Sequence, residues 1–323
     1  MKAAVLYEKS GMPQYVDFPE PAIRHRDEAL MFVKAVAIKH LDKSRAGGTH
    51  YSTCHDPSQA RVIGGDGAGV LEDGTRVYAI GTEGMMAEKA VINKNRMVCV
   101  PAGLDDITAA ALPNAVIGSA MGLRYRAALK PGETVLINGA TGFTGKLAVQ
   151  VAKQYGAGRV IATGRNAQTL QSLALLGADE TVSVQQDDQA FIAQIKEIHG
   201  KTPVDVIIDY LWGHTAEMLF AALKGRGSYT HRTRFVSIGA VTGDLIRLSA
   251  ENLRSVDLQL SGSGLGSWTQ DEIQSLFREI LPDMFQLAAG HQLEVDTLRV
   301  NLKDIAQLWS MDVPDGRRLV VAI

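Results

Sequence analysis

Short apolar runs separated by clusters of Gly, Pro and Asp dominate the first third of the chain. Runs of this kind are typical of β-strands joined by turns. The pattern predicts strands at 2–7, 29–38, 69–71 and 76–80. The first third is therefore expected to form a small, mostly β domain.

From about residue 134 the pattern changes, and strand-length apolar runs alternate with helical patterns. The first of these helices has one apolar stripe that can pack on a sheet, formed by Leu147, Ala148, Val151, Ala152 and Tyr155, and leaves Lys146, Gln150 and Lys153 outward. Strands that alternate with helices indicate βαβ units and a parallel sheet. These strands are predicted at 134–138, 159–163, 180–184, 204–209 and 234–239.

The last part of the chain loses this rhythm. An alternating strand at 257–260 precedes a long helical stretch at 270–289 and a final strand at 318–323. We assign this last part to the first domain, which is then discontinuous in sequence. The expected boundaries give 1–114 and 266–323 to the first domain and 115–265 to the second.

A glycine-rich turn follows the strand at 134–138 directly and opens the next helix. Glycines permit a tight turn and a close approach of backbone N–H groups to a pyrophosphate, and a helix N-terminus carries a partial positive charge. Strand, glycine turn and helix in this order predict a dinucleotide site. The alternative is a glycine-rich turn that binds nothing. The residues of the turn are Gly139, Ala140, Thr141, Gly142, Phe143, Thr144 and Gly145.

The next strand indicates which dinucleotide is bound. Proteins that bind the non-phosphorylated carrier usually end this strand with an acid on the ribose 2′-hydroxyl, whereas a 2′-phosphate calls for a basic group. Here the strand ends Thr163, Gly164, Arg165, Asn166, without a carboxylate. Arg165 can clamp a phosphate with paired N–H donors, which predicts NADPH as the cofactor. The alternative is a solvated surface arginine.

Composition and charge exclude several classes of function. The 323 residues carry 33 basic and 35 acidic side chains, so the basic surface that nucleic-acid binding needs is absent. No apolar stretch approaches the roughly 20 residues that span a bilayer, and the first apolar run is too short for a secretory signal. A cytoplasmic protein is expected. With Cys54 and Cys99 alone, neither a disulfide framework nor a four-cysteine zinc lobe can form.

Several ordered segments resemble the zinc-free branch of the medium-chain dehydrogenase/reductase superfamily, the quinone oxidoreductase and enoyl reductase group. The resemblance implies an α/β fold class: a Rossmann doubly wound parallel sheet inserted in a discontinuous GroES-like β-rich domain. It also implies a homodimer and a small-molecule quinone or enone substrate. The segments that carry the resemblance are 37–42 (AIKHLD), 63–70 (IGGDGAGV), 84–88 (GMMAE), 100–104 (VPAGL), 109–113 (AAALP), 130–135 (KPGETV) and 204–209 (VDVIID).

The resemblance also assigns roles in the site. It places Ser119 at the start of a linker helix that touches the nicotinamide, although such a serine can instead bond its own backbone. It implies that Gly239, Gly262, Ser263 and Gly264 form turns around the nicotinamide. On the β domain, Lys39, His40, Asp42 and Tyr51 fall where the family lines its substrate cleft. Lys39 is a candidate for attracting the acceptor and Tyr51 for donating a proton, while packing or surface roles stay equally open.

Zinc-dependent relatives carry ligands where this chain has Lys39, Gly65 and Asp66, so no catalytic zinc is expected. A local cluster of His50, Cys54, His55 and Asp56 leaves a noncanonical metal site open as a minor alternative.

The leading hypothesis is an NADPH-dependent reductase of quinones or α,β-unsaturated carbonyl compounds. The alternatives are an alcohol dehydrogenase with a metal at the local cluster, and a non-enzymatic protein that binds NADPH and senses redox state.

Overall fold

The computed structural model describes residues 1–7, 11–53, 59–225, 229–313 and 316–323. It divides the chain into two compact units, Met1–Asn114 with Ile273–Ile323, and Ala115–Glu272. The second boundary lies seven residues beyond the expected one at 265. Arg126 explains the difference, because its guanidinium forms a bidentate pair with Glu272 at 2.9 and 2.8 Å and donates to the Ser267 carbonyl at 2.6 Å. These bonds tie the segment 266–272 to the second unit.

The first unit contains two sheets. A three-stranded sheet has the order β2-β1-β4, and a six-stranded sheet has the order β14-β15-β3-β5-β6-β7. Because β3 pairs with both β5 and β7, the strands β3, β5, β6 and β7 close into an antiparallel barrel. The strands of this unit are β1 (Lys2–Leu6), β2 (Gln14–Asp17), β3 (Glu28–Ala37), β4 (Arg61–Val62), β5 (Asp66–Leu71), β6 (Arg76–Gly81), β7 (Lys89–Cys99), β14 (Thr297–Asn301) and β15 (Arg318–Ala322).

The second unit is built on one six-stranded sheet in which every pairing is parallel. The strand order is β10-β9-β8-β11-β12-β13. Starting from β8, the chain adds β9 and β10 on one side and β11, β12 and β13 on the other, which is the doubly wound arrangement, with its switch point between β8 and β11. The fold class expected from the sequence is confirmed. The strands are β8 (Thr134–Asn138), β9 (Arg159–Gly164), β10 (Glu180–Ser183), β11 (Val206–Asp209), β12 (Thr233–Ser237) and β13 (Leu258–Gly262).

The helices follow from the apolar stripes. In α3 the stripe residues Leu147, Ala148, Val151 and Ala152 are buried, as their spacing predicted. Tyr155 at the end of the stripe is only partly buried, and the expectation that Gln150 faces outward is wrong, because Gln150 is buried. The helical stretch expected at 270–289 is confirmed, as three consecutive pieces: α8, a π-helical turn at Leu276–Ile280 and α9. The α-helices are α1 (His40–Ala46), α2 (Asp106–Met121), α3 (Phe143–Gln154), α4 (Ala167–Ser172), α5 (Asp188–Lys201), α6 (Gly213–Leu223), α7 (Ala250–Ser255), α8 (Gln270–Ser275), α9 (Leu281–Ala289) and α10 (Ile305–Leu308).

Short turns of π- or 3₁₀-helix extend other helices: Gly122–Arg126 follows α2, Leu173–Leu176 follows α4, and Leu302–Asp304 precedes α10. None of the helices in the described ranges combines the length and the apolar character that a membrane crossing needs.

Candidate functional site

The glycine turn between β8 and α3 uses its three glycines in three different ways. Gly139 has φ +91°, a backbone conformation that favours glycine. At Gly142, the N-cap of α3, an added β-carbon would meet no atom within 4 Å, so the backbone faces open space. At Gly145 an added β-carbon would lie 2.2 Å from the Gly139 carbonyl oxygen. These are the tight turn, the open approach for a pyrophosphate and the close helix–strand packing of a dinucleotide site.

The turn is fastened to the end of β9. The Gly139 and Ala140 amides donate to the hydroxyl and the carbonyl of Thr163 at 3.3 and 2.7 Å. A β-carbon at Gly164 would lie 2.2 Å from Cγ2 of Thr141, so the absence of a side chain there admits the threonine. The cofactor residues predicted on these two strands are therefore neighbours at the carboxyl edge of the sheet, where open α/β sheets bind ligands.

Arg165 stands directly after β9 with an exposed side chain. Within the described ranges its guanidinium has no ion pair and no hydrogen bond. The side chain of the neighbouring Asn166 is the N-cap of α4, because its Oδ1 accepts a hydrogen bond from the Thr169 amide at 2.9 Å. An unpaired guanidinium at this strand end can take a phosphate in a bidentate contact.

A buried polar network lies beneath the turn, and the sequence did not reveal it. Asn138 Nδ2 donates to Asp209 Oδ1 at 2.7 Å, and the Thr163 hydroxyl donates to Asn138 Oδ1 at 2.6 Å. Asp209 also accepts from the amides of Leu211 and Trp212, each at 3.0 Å. Burial raises the pKa of Asp209. The network fixes the ends of β8, β9 and β11 relative to one another. The sequence feature that could have predicted it is a polar residue at the end of an otherwise apolar strand.

Trp212 holds the loop that follows β12. It has φ +57°, which is uncommon for a bulky residue and is kept by the bonds of its backbone to Asp209. Its ring stands edge-on to Phe220 and Phe235, with centroids 6.4 and 6.1 Å apart, and its Nε1 donates to the Asp244 carbonyl at 3.2 Å. The loops at the ends of β11 and β12 are thus joined.

The glycine turns predicted around the nicotinamide end the next two strands. A β-carbon at Gly239 would lie 2.9 Å from the carbonyl oxygen of Tyr210, so this turn also requires a small residue. Gly262 ends β13. Ser263 is buried, and its hydroxyl accepts from Trp268 Nε1 at 3.0 Å, while the Gly264 amide donates to the Ser267 hydroxyl at 3.0 Å. These residues lie at the same sheet edge as the glycine turn, and their contact with a cofactor stays a prediction.

Ser119 is fully buried, and its hydroxyl donates to the Val116 carbonyl at 3.2 Å. The expected position at the start of a helix is wrong, because Ser119 lies in the last turn of α2. Its contact with a nicotinamide stays a prediction.

Lys39 does not present a free charge to an acceptor, which corrects the role considered for it. It is fully buried, and its ammonium lies 2.5 Å from Asp66 Oδ1 and 3.1 Å from Asp42 Oδ2. Tyr78 donates to Asp66 Oδ2 at 2.7 Å. Burial by itself lowers the pKa of Lys39, but the two carboxylates together raise it above the ordinary value. The Asp42 carboxylate also accepts from the backbone amides of Lys39 and Gly65, each at 3.2 Å, so its hydrogen bonds are structural.

Tyr51 is 70% exposed, and its ring lies 4.3 Å from the ring of His50. His40, at the start of α1, is also exposed. Neither observation tests the proton-donor role of Tyr51, which stays a prediction.

Comparison with known proteins places these features in a family. The family model described as zinc-binding dehydrogenase matches residues 144–282. A probable NADPH-dependent quinone reductase of Emericella nidulans is 25% identical over 97% of this chain and 97% of its own length. The quinone oxidoreductase of Sus scrofa is 26% identical over 85% of this chain and 84% of its own. These matches support the resemblance seen in the sequence, to the medium-chain dehydrogenase/reductase superfamily and, within it, to the quinone oxidoreductase group.

A solved member of the quinone oxidoreductase group has the same fold. The quinone oxidoreductase of Thermus thermophilus, whose structures include a complex with NADPH, is 26% identical, covers 100% of both chains and gives a TM-score of 0.77.

At two of the positions where the resemblance implied zinc ligands in zinc-dependent relatives, the described residues do not fit a zinc ion. These are Lys39 and Asp66, which lie outside the matched range 144–282. A protonated amine has no lone pair to offer a metal, and here it occupies the carboxylates that could bind one. In the described part of the chain no three His, Cys, Asp or Glu side chains are grouped to hold a metal. Cys54, His55 and Asp56 of the alternative cluster lie outside the described residues.

Proposed function

We propose that this chain is an NADPH-dependent oxidoreductase that delivers a hydride to a quinone or to an α,β-unsaturated carbonyl compound, without zinc. The observation that carries the proposal is the guanidinium of Arg165, which no described residue pairs, at the end of β9 beside the glycine turn. An acid at this strand end would repel a 2′-phosphate, whereas an arginine binds it.

NADPH is supported by the relatives as well as by the site. The Emericella nidulans relative is described as NADPH-dependent, and the Thermus thermophilus structures include a complex with NADPH. The geometry of this chain agrees, because the open backbone at Gly142 and the N-terminus of α3 offer a place for the pyrophosphate.

When bound, the cofactor supplies the hydride. The chain's residues have to bind it, orient it and stabilise charge that develops on the acceptor oxygen. The glycine turn holds the pyrophosphate, Arg165 holds the 2′-phosphate, and the Asn138–Asp209 network keeps the strand ends fixed. Gly239 and Gly262 leave room beside the nicotinamide, Ser119 lies near it, and Tyr51 is the candidate proton donor.

The absence of zinc is part of the proposal. The Lys39 ammonium already lies against both the Asp42 and the Asp66 carboxylates, so a divalent cation would have to displace it to reach them. Without a Lewis acid, oxidation of a simple alcohol loses its main driving group. Activated acceptors that take a hydride directly are the better substrates. Metal analysis of protein purified without added metal tests this part, and a stoichiometric ion would favour the alcohol dehydrogenase alternative.

The experiment that tests the function follows NADPH oxidation by the purified full chain. One panel contains benzoquinones and naphthoquinones, and a second contains enones and enoyl thioesters. We expect turnover with at least one panel and faster turnover with NADPH than with NADH. Tight NADPH binding without turnover in either panel would overturn the reductase assignment and favour the non-enzymatic alternative. The homodimer implied by the resemblance is tested separately by sedimentation.

A further inference from the structure

The hydroxyl of Tyr210 is a buried polar group with no hydrogen-bond partner in the described structure. Tyr210 follows β11 directly at the carboxyl edge of the sheet, and its side chain is only 8% exposed. Burial raises the pKa of this phenol, an effect that the nearby Ser119 only partly offsets, so the hydroxyl keeps its proton. A buried donor without an acceptor is unfavourable, and such groups in folded proteins call for an explanation.

Two turns of the second unit contact Tyr210, one at its phenol and one at its backbone. A β-carbon at Gly118 in α2 would lie 3.7 Å from the Tyr210 hydroxyl oxygen and 2.7 Å from Cγ2 of Ile238. The hydroxyl of Ser119 already donates to the Val116 carbonyl. Gly239 lies against the backbone carbonyl of Tyr210. The phenol therefore stands against the last turn of α2, where the Ile238 side chain also lies, while Gly239 contacts the backbone of the same tyrosine.

This position lies on the path of a bound dinucleotide. The proposed function puts the phosphorylated end of the cofactor at β8 and β9, where Gly139 and Arg165 are. The rest of an extended dinucleotide runs along the carboxyl edge toward β11 and β12, across the point where the strand order reverses. Its nicotinamide end carries a carboxamide, whose carbonyl oxygen is the acceptor that the Tyr210 hydroxyl lacks.

We propose that Tyr210 binds the nicotinamide end of the cofactor by donating a hydrogen bond from its hydroxyl to the carboxamide oxygen. The proposal rests on the proposed function, since it requires a nicotinamide cofactor. Because the hydroxyl is enclosed, the half-buried Ile238 side chain beside Gly118 is the group that moves to admit the carboxamide.

The test compares Tyr210→Phe with Tyr229→Phe, which makes the same chemical change on a fully exposed side chain. Calorimetry measures two ligands: NADPH, and 2′-phospho-ADP-ribose, which lacks the nicotinamide. We expect Tyr210→Phe to weaken NADPH by about tenfold and to leave the ribose fragment unchanged, because only the carboxamide loses a donor. Tyr229→Phe changes neither. The thermal midpoint of ligand-free Tyr210→Phe should equal or exceed that of the unmodified chain, since the lost hydroxyl had no partner.

A third ligand checks the direction of the hydrogen bond. The 3-acetylpyridine analogue of NADP⁺ keeps the carbonyl oxygen and lacks the amide N–H, so Tyr210→Phe should weaken it as much as NADP⁺ itself. Unchanged NADPH affinity, equal weakening of NADPH and the ribose fragment, or weakening of NADP⁺ without the analogue would each overturn the proposal. Failure of the unmodified chain to bind either NADPH or the fragment would instead overturn the proposed function.

Discussion

The carbonyl oxygen of Gly139 lies 2.2 Å from the point where residue 145 would carry a β-carbon. The end of β8 and the first turn of α3 can therefore approach one another only with glycine at position 145. Gly142, in the same turn, is the opposite case, because its β-carbon would meet nothing.

We expect Gly145→Ala to lower the free energy of unfolding by about 1–3 kcal/mol, because the new methyl group overlaps backbone atoms that cannot move aside. Gly142→Ala is the matched control. It should lower the free energy of unfolding by at most about 1 kcal/mol, from the poorer N-cap, and yet weaken NADPH, because its methyl group enters the space left for the pyrophosphate. Urea unfolding and NADPH titration of both variants separate the two roles. Equal stability of the two variants would contradict this assignment.

Arg165→Ala should weaken NADPH by about ten- to a hundredfold and leave NADH affinity unchanged, because only the 2′-phosphate loses its charge-assisted contact. Arg165→Lys keeps the charge but loses the planar fork, so its affinity for NADPH should lie in between. Titration of each variant with NADPH and with NADH measures the ratio of the two affinities. Equal losses for NADPH and NADH would remove Arg165 from the 2′-phosphate site.

Lys39→Met should lower the free energy of unfolding by about 3–5 kcal/mol, because Asp42 and Asp66 would remain buried without a counter-charge. Lys201→Met is the control: Lys201 forms an exposed pair with Glu197 at 2.6 Å, and its loss should leave the urea midpoint unchanged. A Lys39→Met variant as stable as the control would show that the two carboxyls do not need the ammonium.

Stability should fall in mild acid, in part through His199. Its Nδ1 accepts from the Val204 amide at 3.1 Å, and burial, aided by His231, lowers its pKa below the ordinary 6.5, against a smaller opposing effect of Asp205. Between the lowered pKa and 6.5 the unfolded chain binds more protons than the folded one, so stability rises with pH across this range. The contribution of His199 to the free energy of unfolding is complete above about pH 6.5, and it is lost as the pH falls through the pKa of His199 in the folded chain.

Thermal midpoints of the unmodified chain and of His199→Gln, measured between neutral pH and pH 5, test this expectation. The glutamine carbonyl can still accept from Val204 but does not titrate, so the midpoint should fall less steeply with acid. Part of the slope should remain, because the pKa values of His40 and His50 are lowered too. An identical slope in both proteins would contradict the role of His199.

The pattern of apolar and polar residues predicted most of the strands, because each of these has a clear apolar run. It missed β7, whose middle is polar from Asn93 to Arg96, and the short strands β2, β4 and β14. Those segments are held by pairing with neighbours distant in sequence, which a local pattern does not register.

The segment 226–234 is rich in basic residues. Arg226 lies outside the described residues, while His231, Arg232 and Arg234 each pair with an acid: Asp205, Asp257 and Glu133. Of these, Arg234 is partly buried, because it belongs to β12. These pairings join separate elements, so no stretch of local sequence announces them.

The sequence by itself determined the alternation of strands and helices, the glycine turn and the arginine that follows β9, because these depend on residue type and short spacing. Only the tertiary structure decided that the Lys39 ammonium is paired with Asp42 and Asp66, that Ser119 lies in the last turn of α2, and that Asn138 meets Asp209. Each of these depends on groups brought together across many residues, where burial makes an unpaired charge or hydroxyl costly and so selects its partner.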